Sequence, residues 1–116
     1  MHELYLADSI IQIVHEYAAR NPFKKVNSIL LSHGRLSCIE AKSLTFAFDV
    51  QSQSTIAQGA RLEFKILPAV IHCFSCEKDL EVDAPTGTCP SCGGWDVLLT
   101  AGTEDLQILE LDVDED

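Results

Sequence analysis

Cys73, Cys76, Cys89 and Cys92 form two Cys-x-x-Cys pairs with twelve residues between them. A two-residue gap lets one tight turn aim two thiolates at one point. Two such turns close a tetrahedral shell of four sulfurs, the arrangement that zinc prefers. The second pair lies in Cys89-Pro90-Ser91-Cys92-Gly93-Gly94, with proline and glycine where a sharp turn needs them. Two disulfides are the competing use of four cysteines. A Cys-x-x-Cys pair seldom forms a relaxed local disulfide, however, and Met1-His2-Glu3-Leu4 has neither the basic start nor the apolar run of a secretion signal. A closed shell of four thiolates leaves no open position for chemistry. Its expected role is to order a segment with little apolar core of its own.

His2 offers a second kind of metal chemistry. A histidine directly after a free amino terminus can chelate through the terminal amine, its own deprotonated backbone amide and its imidazole. Such nitrogen sets suit the square-planar or tetragonal preference of Ni(II) and Cu(II) more than tetrahedral zinc. Histidine is too bulky for the usual removal of an initiator methionine, so Met1 is expected to stay. Glu3 can add a backbone nitrogen or a carboxylate, and its charge suits the start of a helix. Most second-position histidines are incidental, so this feature by itself assigns no site.

Other reactive side chains have blander readings. His72 adjoins Cys73 and is expected either to donate to a thiolate or to be a plain surface residue. Cys38 reads as a small buried hydrophobe. His15 and His33 fall within a helix and a strand, and Trp95 is expected to pack the cysteine module against the rest of the chain. The sequence contains no recognisable nucleophile–base arrangement and no Gly-Lys-Ser/Thr phosphate loop, so an enzyme is not expected.

The net charge is −10, and it is unevenly placed. All eight Lys and Arg lie at or before Lys78, and from Asp79 onward there are eleven acids without a balancing base. Binding to a nucleic-acid backbone needs Lys and Arg to displace counterions, so nucleic acid is a poor partner for this chain. A positively charged protein surface or a cationic metal fits better. The acidic end, Asp112-Val113-Asp114-Glu115-Asp116, reads as a solubilising tail.

Several elements must position these residues. Residues 4–20 read as an amphipathic helix with Leu6, Ile10, Ile13, Val14 and Tyr17 at helical spacing, ended by Asn21-Pro22. Residues 25–33 read as a strand. Ser37-Cys38-Ile39-Glu40 has the form of a capping box for a second helix over about 40–52, with Leu44, Ala47 and Phe48 on one stripe. Strands are expected at 61–67, 97–100 and 106–113, with the metal module over 72–95. The order predicts an α+β fold: two helices packed on a small, roughly three-stranded sheet, with an inserted zinc-ribbon-like module. The expected division is residues 1–70 plus 101–116 as one domain and 71–100 as the metal-binding module. With 47% apolar residues the chain has enough apolar material for a core, and no stretch is long enough for a membrane span.

Taken together, four segments resemble the HypA/HybF family of nickel metallochaperones that mature [NiFe] hydrogenases. They are Met1-His2-Glu3-Leu4; Gly34 to Glu40 followed by Leu44 to Asp49; the two cysteine pairs with their twelve-residue gap; and Leu106-Gln107-Ile108 with Leu111-Asp112-Val113. The resemblance spans nearly the whole chain. It implies a nickel-binding α+β domain and a projecting zinc module. It implies transported Ni(II) held by the His2 side chain and nearby backbone nitrogens, with Glu3 beside it, and structural Zn(II) on Cys73, Cys76, Cys89 and Cys92. It implies delivery to a hydrogenase large subunit with a HypB-type GTPase, in the cytoplasm; some relatives also serve urease. A homodimer is a further expected assembly. The chain departs from many members in having Ala41-Lys42 where they have Pro-Glu. Two other readings stay open: a rubredoxin-like Fe(Cys)4 redox protein, since Cys-Pro-x-Cys-Gly also resembles a rubredoxin knuckle, and a zinc-ribbon interaction module without metal transport.

Overall fold

The computed structural model describes residues 2–84 and 87–114, with the side chain of His2 outside its described part. The elements run α1 (His2–Arg20), β1 (Lys25–Gly34), α2 (Ala41–Gln51), β2 (Arg61–Leu67), β3 (Ala69–Cys73), β4 (Lys78–Val82), β5 (Val97–Ala101) and β6 (Gln107–Asp114). They form two three-stranded sheets, ordered β2-β1-β6 and β4-β3-β5. The fold is α+β, as the alternation of periods predicts. Among the described residues, no helix is long and apolar enough to cross a membrane.

The chain divides into two compact units. The first comprises Met1–Leu31, Ile39–Phe64 and Ile108–Asp116, and the second Ser32–Cys38 with Lys65–Gln107. The first unit is built on an apolar core. Ala7, Ile10, Ile11 and Val14 recur at i, i+3, i+4 and i+7, and this arc of α1 is buried together with Leu44, Ala47 and Phe48 of α2 and Val26, Ile29 and Leu31 of β1. The buried arc differs from the expected one: Ile13 and Tyr17 are 38% and 47% exposed, because the arc runs through Ala7 and Ile11 instead. Fully burying side chains of this size contributes roughly 1.5–3 kcal/mol each, so this unit can hold its shape by burial.

The second helix is capped differently from the capping-box expectation. Cys38 sits at φ 65, in the left-handed region, and this bend carries Ser37 away from the helix start. The Ser37 hydroxyl instead donates to the Gly34 carbonyl at 2.7 Å. Glu40 is the N-cap, and its Oε1 accepts from the backbone N–H of Lys42 and of Ser43 at 3.0 and 3.3 Å. The same bend leaves Cys38 exposed, against the expectation of burial.

The second unit has few large buried side chains: among the described residues its buried apolar ones are Ala69, Ile71, Cys73 and Cys89. Its sheet is fully antiparallel, with β3 between β4 and β5. The strand β4 has no counterpart in the sequence expectations, because Lys78-Asp79-Leu80-Glu81-Val82 is mostly charged and its two half-buried apolar residues make only a short alternation. Within this unit three backbone bonds clasp the end of β1 and the loop after it: Gly34 N–H to Glu104 O, Arg35 N–H to Leu67 O and Leu36 N–H to Gly102 O, at 3.0, 2.9 and 2.7 Å. The approach at Gly34 is so close that a Cβ there would run into the carbonyl of Gly102.

Candidate metal centres

The β3–β4 turn and the loop leading to β5 bring the four cysteines together. All four Sγ atoms lie within 4.8 Å of one another. Cys73 and Cys92 are 3.7 Å apart at sulfur, and Cys76 and Cys89 are 3.9 Å apart. A tetrahedron with metal–sulfur bonds of about 2.3 Å has edges of about 3.8 Å, so these separations fit one metal ion at the centre. They are far too long for disulfides, whose sulfurs lie about 2.05 Å apart. The disulfide alternative therefore fails on geometry, whereas zinc and iron both suit a tetrahedral four-sulfur set.

The two loops share one backbone design. Cys73 ends β3, its carbonyl accepts from the N–H of Glu77 at 2.8 Å, and its sulfur accepts from the N–H of Cys76 at 3.4 Å. In the second loop the Cys89 carbonyl accepts from the N–H of Gly93 at 2.7 Å, and its sulfur accepts from the N–H of Ser91 at 3.4 Å. Each loop turns through a left-handed residue at the same place, Glu77 at φ 55 and Gly93 at φ 74. A further bond, Gly94 N–H to the Cys92 sulfur at 3.4 Å, and the pair Cys89 N–H to Gly94 O at 2.8 Å close the second loop. Backbone N–H groups aimed at sulfur favour the thiolate, which is the form that binds metal.

The ionisation of the cluster is uneven. Contact with the Cys92 thiol, then burial, then the neighbouring Cys73 and Cys89 sulfurs push Cys76 up to about 12. Burial pushes the Cys89 thiol up, but the backbone of Cys92 and Ser91 and the side chains of Cys73 and Cys92 outweigh it and bring Cys89 down to about 7. Crowded sulfurs resist carrying several negative charges together, and a cation at their centre removes that conflict.

The neighbours of the cluster are committed elsewhere. His72 Nδ1 pairs with Asp79 Oδ1 at 2.8 Å, and its ring meets the Phe74 ring edge-on at 4.7 Å. That nitrogen is not spent on a thiolate. Trp95 is 83% exposed and does not pack as expected. His33 is buried, with Nδ1 at 3.0 Å from Gly34 O and 3.1 Å from Ser37 Oγ, so it belongs to the loop clasp.

At the other candidate centre, helix α1 begins at His2. The first four N–H groups of a helix have no partner within it, so no helical hydrogen bond engages the backbone nitrogens of this turn. The side chain of His2 lies outside the described residues. Glu3 is half-buried and borders an open groove of about 370 Å³ lined also by Leu4, Lys42, Ser43, Phe46 and Ala47. Gln51, at the end of α2, donates through Nε2 to the Leu4 carbonyl at 3.2 Å and ties down this first turn. Nothing in the local sequence signals this bond, which spans 47 positions.

Known proteins agree with the geometry. Residues 1–113 match the family described as "HypA: Hydrogenase/urease nickel incorporation, metallochaperone, hypA". A hydrogenase maturation factor HypA of Syntrophus aciditrophicus is 50% identical over 98% of this chain and 100% of its own length. Hydrogenase maturation factor HypA 2 of Bradyrhizobium diazoefficiens is 41% identical with the same coverage. The solution structure of the Ni metallochaperone HypA from Helicobacter pylori shares the fold, with a TM-score of 0.64, 22% identity and 98% of each chain covered. A second solution structure, of a HypA protein, gives a TM-score of 0.70 at 22% identity, covering 100% of this chain and 98% of the other. This chain, with its four-cysteine metal site and its mixed α+β fold, belongs to the HypA family of nickel-incorporation metallochaperones for hydrogenase and urease.

Proposed function

We propose that this chain binds Ni(II) transiently at its N-terminus and delivers it for maturation of a [NiFe] hydrogenase large subunit, working with a HypB-type GTPase in the cytoplasm. In this reading residues 1–70 with 101–116 carry the nickel, and 71–100 carry a structural zinc on Cys73, Cys76, Cys89 and Cys92. The nickel ligands are the terminal amine, the His2 amide and imidazole, and Glu3 supplies a further nitrogen or a carboxylate. The observation that carries it is the match of residues 1–113 to a nickel-incorporation family. The start of α1 at His2 supports it, because the N–H groups there have no helical partner to lose. The positive end of the helix dipole also favours a deprotonated, anionic amide, by about 0.3–1 kcal/mol.

Delivery needs an ion that is held selectively and released on demand. Four thiolates in a closed shell hold too tightly for that, and they hold a unit that has little other core. Ligands in a row at a chain end can be taken over one at a time by a partner. Binding there displaces protons, so it weakens as pH falls. The chain acts by binding and handing over rather than by catalysis, and the GTPase step belongs to the partner. A homodimer would bring two such N-termini into one assembly. The test is metal analysis of the wild type and of His2→Ala after nickel loading, with zinc counted in the same sample. One nickel per wild-type chain, none in the variant and equal zinc in both is expected; nickel uptake unchanged by His2→Ala would end this reading. A red, redox-active preparation would favour the iron alternative, and indifference to nickel would favour a plain zinc-ribbon module.

A further inference from the structure

We propose that one face of the β4-β3-β5 sheet is a docking surface for a basic protein segment with an apolar side chain at its centre. The registers define the face. His72 pairs with Asp79 on one side and with Leu98 on the other, and Val70 pairs with Glu81. Paired residues share a face and alternate residues return to it. Phe74 continues the row, because its N–H bonds to the Asp96 carbonyl at 3.0 Å and its ring lies edge-on to that of His72. The other face takes Ala69, Ile71 and Cys73, all buried, so the two faces differ in kind.

The centre of the docking face is apolar and open: Phe74 is 51% exposed and Leu98 is 56% exposed. Its rim is acidic, from Asp79, Glu81 and Asp96, all exposed. The one lysine of β4, Lys78, pairs with Cys73 and so alternates to the opposite face. An apolar centre with a charged rim is the build of a protein interface: the centre excludes water while the rim selects the partner by sign. A rim of carboxylates attracts Lys and Arg and repels nucleic acid and anionic lipid surfaces alike. The docking surface rests on side chains of the second unit and does not depend on nickel binding at His2.

The experiment uses the full, zinc-loaded chain, isotopically labelled and followed by amide NMR. Three short synthetic peptides are titrated in at low salt: alternating lysine–leucine, alternating glutamate–leucine, and alternating lysine–serine. The lysine–leucine peptide is expected to shift amides at 70–74, 79–81 and 96–98, with weaker binding as salt rises. Neutralising the rim with Asp79→Asn, Glu81→Gln and Asp96→Asn should weaken it about tenfold. Leu98→Ser alone, which leaves the residues beside Cys73 intact, should weaken it about fivefold. Metal content and the remaining amide spectrum report that each variant is folded. Equal binding of either control peptide overturns the proposal, as do shifts centred on the acidic strand β6, no shifts with lysine–leucine at all, or affinity unchanged in the folded variants.

Discussion

In the second unit four sulfurs converge from two loops that repeat one backbone design, whereas at the start of α1 the candidate ligands simply follow one another along the chain. The sulfur site is made by folding, and it lies in the unit with few large buried side chains. The helix start belongs to a unit with a buried core of isoleucine, leucine, valine and phenylalanine. A metal that holds a fold together cannot be given away without unfolding its carrier. A metal bound where the fold does not need it can be. The contrast in cores therefore argues for the contrast in roles.

The strongest way to break the contrast is to remove a sulfur. Cys89→Ser should lose the bound metal and unfold the β4-β3-β5 sheet, since structural zinc sites of this kind contribute about 10–16 kcal/mol of folding free energy. Amides of α1 and α2 should stay dispersed. Loss of dispersion throughout the chain would show that the two units are not separately stabilised. Next in size, His2→Ala should weaken nickel binding more than about a hundredfold, beyond the effect of losing a residue that only orients a ligand, with the thermal transition unchanged.

Smaller changes sharpen the contrast within the second unit. Gly34→Ala places a methyl group against the Gly102 carbonyl and should destabilise the loop clasp by about 1–3 kcal/mol, read by denaturant unfolding. At the opposite sign, Glu77→Gly should stabilise the first loop. Glu77 holds the same left-handed position that Gly93 holds in the second loop, and a side chain there costs about 1–2 kcal/mol. Retained metal under chelator challenge should then last longer in the variant than in the wild type. The least effect is expected from Glu40→Ala, which removes the cap of α2 and should cost about 1 kcal/mol in the first unit alone.

What is legible in the sequence follows the range of the interaction. Each Cys-x-x-Cys turn is complete within a few residues, with Pro90, Gly93 and Gly94 marking the second, so the convergence of sulfurs can be read without a structure. The helices and the sheet that receives β6 are legible because their apolar periods are long. The strand β4 is not, because pairing with β3 rather than its own composition makes it a strand. The cap of α2 misleads for a related reason. Ser37 and Glu40 have the right spacing, but the left-handed turn at Cys38 redirects Ser37 to the Gly34 carbonyl, and a single sequence does not announce that turn. Trp95 follows the second loop directly and reads as a packing residue by type, yet its ring stands in solvent. At the helix start, His2 and Glu3 are visible as a motif, while the bond from Gln51 that steadies this turn spans 47 positions and leaves no local trace.

The division between a resident and a carried ion is tested most directly by loading the chain with one zinc and one nickel, then lowering the pH from about 7.5 to about 6 in a weak chelator and counting each metal that remains bound. Free imidazole takes up its proton near pH 6.5, and the amine and amide nitrogens compete with protons above that. Nickel should leave over this range while zinc and the β4-β3-β5 amides stay unchanged. Nickel retained to about pH 6, or both metals leaving together, would overturn that division.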